Sequence, residues 1–279
     1  MICIHSQTRG RHGNKVFHFN TLMQLSTILR QEPYTDMWDG YTSFDKTCDI
    51  ISANISPEEI PFSDLIYNSI RELKEKYSQG DWKLHPLSLC GPFFRITKQD
   101  PRKFIQLKKR YTNQASTTHV GIHIRGGDLR AERVGHSRHE REIHPPEYYI
   151  NSIDYVLQKY SNDVIFVVCT DDPDINYPSF YETVRYLEDK KVSLVFNPSN
   201  TYMQDFSVLS ECDILIAGSS TFVLAAGMIG KYKKIIHSKQ FVEQFKNEDQ
   251  IWYSNFGNGM FFHDLNHIKS DYYNVWKLI

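Results

Sequence analysis

The feature that most limits the fold is an alternation running from His119 to His237. Five apolar runs (HVGIHI, VIFVVCT, KVSLVF, DILIAG and KKIIH) are separated by segments whose apolar residues recur at helical spacing. A run such as VIFVVCT is apolar at successive positions, so a strand built from it needs cover on both faces. Strands of that kind joined by helices form a mostly parallel sheet with helices on its two sides. The intervening helices are read at 146–160, opening on a proline tolerated in a first turn, at 178–187, over MQDFSVLSEC, and from SSTFVLAAGMIG.

The first hundred residues carry a weaker pattern. ICIH reads as a strand, 10–14 (GRHGN) as a glycine-bearing turn, and the following segment as a helix through Val16, Phe19, Leu22, Met23, Leu25 and Leu29. Strand, turn and helix in that order open a Rossmann-type half. Residues 31–60 read as irregular, with helices expected from about Ser63 through Leu73 and over 101–111. The polar stretch TNQASTT reads as a linker. The expected organisation is therefore α/β: two Rossmann-like domains, 1–112 and 113–279, with mostly parallel sheets facing a cleft.

Composition narrows the class. At 41% hydrophobic and 23% charged residues the chain is globular, and a net charge of -1 argues against a nucleic-acid or acidic-membrane partner. No apolar run approaches the ~18 residues of a membrane span. The N-terminus lacks the basic-then-apolar pattern of a signal peptide. The five cysteines are scattered without a C-x-x-C, as expected of reduced core thiols in a soluble, cytoplasmic protein. No H-E-x-x-H, Walker A or G-x-S-x-G pattern occurs. His18, His144, His263 and His267 carry no metal-ligand spacing and read as ordinary polar or partly buried residues.

Three strand ends carry chemistry. HVGIHI runs into Arg125-Gly126-Gly127-Asp128, placing a guanidinium and two glycines where open α/β sheets bind ligands. Arg can hold a phosphate through two parallel hydrogen bonds, and glycine lets the backbone approach it. DILIAG runs into Ser219-Ser220-Thr221 at a helix start, which presents N–H groups, hydroxyls and a positive dipole end to an anion; plain N-capping is the other reading. VIFVVCT runs into Asp171, Asp172 and Asp174. Three readings stay open there: a carboxylate accepting from a base or ribose hydroxyl, a D-x-D pair at Asp172 and Asp174 holding a divalent ion, and a polar turn.

Taken in order, these segments resemble the fucosyltransferase superfamily with the GT-B fold, which covers α-1,2-, α-1,6- and protein O-fucosyltransferases. GRHGNKVFHFNTLMQLS is similar to the family's opening G-x-x-G-N-Q turn and helix, and GIHIRGGD to its H-x-R-R-x-D phosphate motif. PPEYYINSIDYV and VIFVVCTDD resemble its next helix and strand end, and DFSVLSECDILIAGSSTF its closing motif. The resemblance spans nearly the whole chain. It implies an inverting transfer of a sugar from a nucleotide sugar, GDP-fucose, to a glycan hydroxyl, with neither metal nor other cofactor.

The resemblance also implies roles. Arg125 binds the donor diphosphate and assists its departure, while His123 and Asp128 fix that loop. Ser219, Ser220, Thr221 and Phe222 cradle the phosphates, and Asp171 helps recognise the nucleoside. Gly13 and Asn14 lie across the cleft, near donor or acceptor. Glu132, then Asp128, are candidates to take the acceptor proton, against the alternative that Glu132 is an exposed loop residue. Two departures bear on the donor. Gly126 stands where the family has a second Arg, and Val223-Leu224-Ala225-Ala226 replaces an aromatic-rich ending. UDP-xylose or a rhamnose nucleotide, and a metal-dependent transferase, remain the alternatives.

Overall fold

A computed structural model describes residues 1–4, 12–38, 40–45, 49–50, 57–61, 64, 70–84, 101–108, 117–127, 144–160, 163–172, 176–218, 220–230, 234–238 and 275–277. The chain divides into two compact units between Lys109 and Arg110.

The first unit holds β1 (Ile2–Ile4), α1 (His12–Leu29), β2 (Pro33–Thr35), β3 (Asp49–Ile50), β4 (Glu58–Ile60), α2 (Ile70–Tyr77) and β5 (Trp82–Leu84). Its five strands are parallel, in the order β3-β2-β1-β5-β4. Ile2, Cys3 and Ile4 are fully buried, as a central strand demands. Around α1, Val16, Phe19, Leu22 and Leu25 are buried, but so are His18, Asn20 and Gln24. A helix covered on all sides needs no apolar stripe. Trp38 gathers the rings of Phe19, Tyr41 and Phe44 at centroid distances of 6.0, 6.2 and 5.9 Å.

Three expectations for this unit change. The helix begins at His12, so Gly13 and Asn14 lie in its first turn rather than in a preceding loop. The helix expected over 101–111 is a single 3-10 turn, Pro101–Lys103, after which Leu107 bridges Phe44. Burying Phe104, Ile105 and Leu107 there favours an extended path over a further helical turn. The irregular stretch 31–60 supplies three short strands, because β1 and β5 offer hydrogen-bonding partners to β2 and β4, and β2 in turn to β3. Of the helix expected from Ser63, Ile70–Tyr77 is observed and 65–69 lies outside the described residues.

The second unit follows the alternation closely. Its elements are β6 (Thr118–Ile124), α3 (Pro146–Tyr160), β7 (Val164–Thr170), α4 (Pro178–Asp189), β8 (Ser193–Phe196), α5 (Tyr202–Glu211), β9 (Ile214–Ala217), α6 (Thr221–Ile229), β10 (Lys234–Ser238) and β11 (Val275–Lys277). The sheet order is β11-β10-β9-β6-β7-β8, parallel throughout except for β11. Val120, Ile122 and Ile124 of β6 pack on Tyr148, Tyr149, Ile153 and Val156 of α3. Gly121, on the opposite face of the pleat, lies against Leu209 of α5. Helix α5 starts at a capping box in which Gln204 N–H donates to Thr201 Oγ1 (3.3 Å) and Thr201 N–H to Gln204 Oε1 (2.7 Å). Cys3, Cys169 and Cys212 are buried free thiols. Among the described residues no helix is long and apolar enough to cross a membrane.

The order of strands locates the site. From β6 the chain steps outward to β7 and β8, then returns to lay β9 on the other side of β6. The strand direction of travel reverses between β6 and β9, and at such a switch point the loops leaving the two carboxyl ends part to leave a crevice.

Candidate functional site

His123 of β6 is in register with Ala217 of β9 on one side and Cys169 of β7 on the other. The three chemistry-bearing loops therefore leave neighbouring strands at one edge of the sheet. Gly218 N–H donates to the His123 carbonyl at 3.0 Å, tying the start of the hydroxyl-rich turn to the residue two before Arg125. A Cβ on Gly218 would stand 2.6 Å from that carbonyl oxygen and 3.2 Å from Arg125 N, so only glycine permits this approach.

The Arg125 turn is held from β7. Asp171 Oδ2 accepts from Arg125 Nη1 at 2.5 Å, and Asp171 Oδ1 accepts from Gly126 N–H at 2.8 Å. Asp172 Oδ2 accepts from Gly127 N–H at 3.1 Å, and Asp172 is buried. Gly127 has φ +33°, a backbone region costly for other residues. A Cβ on Gly126 would overlap the Asp172 carboxylate and stand 2.7 Å from Asp172 Cβ.

On the β9 side, Ser220 is the N-cap of α6, its Oγ accepting from Phe222 N–H at 3.1 Å. The capping reading thus holds for Ser220, yet the hydroxyl keeps its own hydrogen to donate. Phe222 lays its ring on His123 at a centroid distance of 5.4 Å and meets Phe206 at 5.3 Å. His123 is buried, and its Nδ1 has no hydrogen-bond partner among the described residues. Burial and the Arg125 charge push its imidazole down to about 4, against the opposing pull of Asp171, so it is neutral near pH 7.

Two tyrosines with no assigned role in the sequence reading support these strand ends. Tyr148 Oη lies 2.9 Å from the Ala217 carbonyl and 3.1 Å from that of Ile236, so one buried hydroxyl serves β9 and β10. Tyr149 Oη lies 3.5 Å from the His123 carbonyl. Both belong to PPEYY, whose pattern signals a helix start but not what the rings reach. Asp205, in the first turns of α5, is another residue that the sequence left without a role. It accepts from Asn200 Nδ2 at 2.9 Å and from the Cys169 thiol, and burial raises its pKa.

Asp128, Glu132, Asp174 and Ser219 lie outside the described residues, as do His263 and His267. Gly13 and Asn14 belong to the first unit; Gly13 is buried and Asn14 half-buried. Of the remaining candidates, Arg125, His123, Asp171, Ser220, Thr221 and Phe222 stand on the three adjacent strand ends of the second unit.

The buried imidazoles carry a pH prediction. His144, buried against Tyr148 at 4.3 Å, is pushed down to about 4 by desolvation, as His123 is. In the unfolded chain these groups return to about 6.5. Between pH 6.5 and 4 the unfolded state thus binds more protons, and stability falls with falling pH. The urea midpoint is expected to be lower at pH 5 than at pH 7, and His144→Phe is expected to shrink that difference. An identical pH dependence in the variant would show that His144 binds its proton equally well in both states.

A sequence model described as glycosyl transferase family 11 matches residues 94–258, more than half of the chain and all three strand ends. The chain belongs to glycosyl transferase family 11. No curated protein sequence matches it. Among solved structures, POFUT1 in complex with GDP-fucose aligns over 81% of this family 11 chain and 93% of its own, at 9% identity and a TM-score of 0.53. The fucosyltransferase NodZ from Bradyrhizobium aligns over 85% and 94%, at 12% identity and a TM-score of 0.51. At such identities the likeness is one of fold, and the fold is that of GT-B fucosyltransferases.

Proposed function

We propose that this family 11 protein is an inverting glycosyltransferase that moves fucose from GDP-fucose to a glycan hydroxyl without a metal ion. The observation that supports the reading is the tie between the two turns: Gly218 N–H donates to the His123 carbonyl, so the chain that carries Arg125 and the chain that enters α6 leave adjacent strand ends. The acceptor oxygen attacks the anomeric carbon as the bond to the β-phosphate oxygen breaks. Arg125 and the first amides of α6 meet the negative charge that grows on the departing diphosphate. A carboxylate takes the acceptor proton, with Glu132 and then Asp128 as candidates.

One observation favours charge neutralisation by protein groups over a D-x-D pair at Asp172 and Asp174: Asp172 already accepts from Gly127 N–H. The donor assignment draws on family membership and on the GDP-fucose bound in the POFUT1 structure.

Calorimetric titration with GDP, UDP and dTDP tests the base, with GDP expected to bind at least tenfold more tightly than the others. Transfer from GDP-fucose is expected to survive EDTA and to give the product of opposite anomeric configuration by NMR. Tightest binding of UDP, or activity lost to EDTA and restored by a divalent ion, would replace this reading with one of the alternatives.

A further inference from the structure

We propose that Asp171 is a positioning residue that acts through Arg125 rather than a reader of the nucleoside, and that Asp171 and Asp172 together clasp the Arg125-Gly126-Gly127 turn. The inference rests on the phosphate-binding reading above and deepens it.

The geometry is specific. One Asp171 oxygen takes the Arg125 guanidinium at 2.5 Å, and the other takes the amide of the next residue at 2.8 Å. The side chain that carries the charge and the backbone that carries the side chain are thus fixed by a single carboxylate. Asp172 takes the amide after that, at 3.1 Å, and occupies the space where a side chain at 126 would stand. Glycine at 126 leaves that space open, and Gly127, at φ +33°, passes against the Asp171 carbonyl where a Cβ would stand 2.9 Å away. Arg125 and Asp171 are mostly buried, with side chains 12% and 23% exposed, so this pairing is only partly screened by water.

A free arginine would lose rotamer freedom when a phosphate arrives. A guanidinium already held by a carboxylate has lost it in advance, and its remaining N–H groups keep one orientation. Removing the clasp therefore misplaces the charge relative to the leaving group, an error that affects turnover more than ground-state binding.

The test is a double-mutant cycle on GDP-fucose turnover, with water or a glycan as acceptor, read beside binding of GDP and of inorganic pyrophosphate. Asp171→Asn keeps an oxygen for the Gly126 amide but removes the negative charge that pairs with Arg125. It is expected to lower kcat up to about 100-fold, with a change in KM of less than about threefold. In an Arg125→Ala background the same change is expected to cost nothing further, since the two residues act as one unit. GDP and pyrophosphate affinities are expected to move by the same factor, because the effect lies on the phosphate side.

Weakened GDP binding with pyrophosphate binding intact would overturn the inference and return Asp171 to the nucleoside. Additive losses in the cycle would also overturn it. If Asp171→Asn does not fold by circular dichroism, Asp171→Glu replaces it. That variant keeps the charge but displaces it, and the same equal movement of the two affinities is expected. Wild-type protein that binds neither GDP nor pyrophosphate would sink the functional reading itself, an outcome distinct from either of these.

Discussion

Arg125→Ala is expected to lower turnover of the nucleotide-sugar donor about 10²–10³-fold, the usual cost of removing one group that meets charge developing in a transition state. The fold has little reason to change. The substitution leaves Asp171 Oδ2 without its guanidinium, but that carboxylate is 23% exposed and water can reach it, while Oδ1 keeps the Gly126 amide. The loss is expected mainly in kcat. A guanidinium aimed at the departing β-phosphate interacts more strongly as that group gains charge, so KM is expected to change far less. Steady-state kinetics with circular dichroism on the same sample check this. Near-normal kcat with an intact fold would remove Arg125 from the reaction and with it the proposed mechanism.

The second large effect is expected at Gly218. Valine there would drive a carbon to 2.6 Å from the His123 carbonyl oxygen, 3.2 Å from Arg125 N and 3.2 Å from Tyr149 Oη. Two of these atoms are backbone and the third belongs to a fully buried ring, so nothing soft is present to yield. Relief requires β6 and β9 to part at their ends, which breaks the 3.0 Å bond between Gly218 and His123 and carries the N-terminus of α6 away from Arg125. Overpacking of this kind costs about 1–3 kcal/mol. For a unit of this size that is a fall in Tm of roughly 2–12 °C. GDP affinity is expected to fall with it, since the two turns would no longer address one diphosphate. Calorimetric melting and titration of Gly218→Val measure both. A variant that melts with wild type and binds GDP normally would show that the two turns need not touch.

How far this could be read from the residues depended on where burial lies. β6, β7, β9 and β10 announce themselves because a strand covered on both faces must be apolar at every position, and Val120, Ile122, Phe166, Ile214 and Ile216 are buried as that requires. Pro146 and Pro178 mark the first turns of α3 and α4. The first unit was less legible. β4 begins Glu58-Glu59 and β3 has two residues, so neither shows a period, and both are strands only because neighbours offer parallel partners. The N-terminus of α1 was hidden by Gly13, which suggests a turn when read locally.

Within the site, the residue types were legible and their partners were not. Asp171 follows an apolar strand whether it faces a nucleoside or a guanidinium, and only the register of β7 beside β6 puts it against Arg125. Gly126 read as a lost arginine. In three dimensions the same glycine is what admits Asp172. Tyr148 and Tyr149 look like two more core aromatics until their hydroxyls are traced to the carbonyls at the ends of β9 and β6.

The return of the chain to place β9 beside β6 has a consequence for biosynthesis. Arg125 and Ser220 are 95 positions apart, so a nascent polypeptide exposes the first long before the second has been translated. β7 can dock early and close the two carboxylates over the turn, but the amides of α6 arrive only after β9 has been translated. On the phosphate-binding reading, nucleotide therefore cannot template early folding, and a message cut short before β9 is expected to yield a product that carries the arginine yet gains no protection from ligand against degradation.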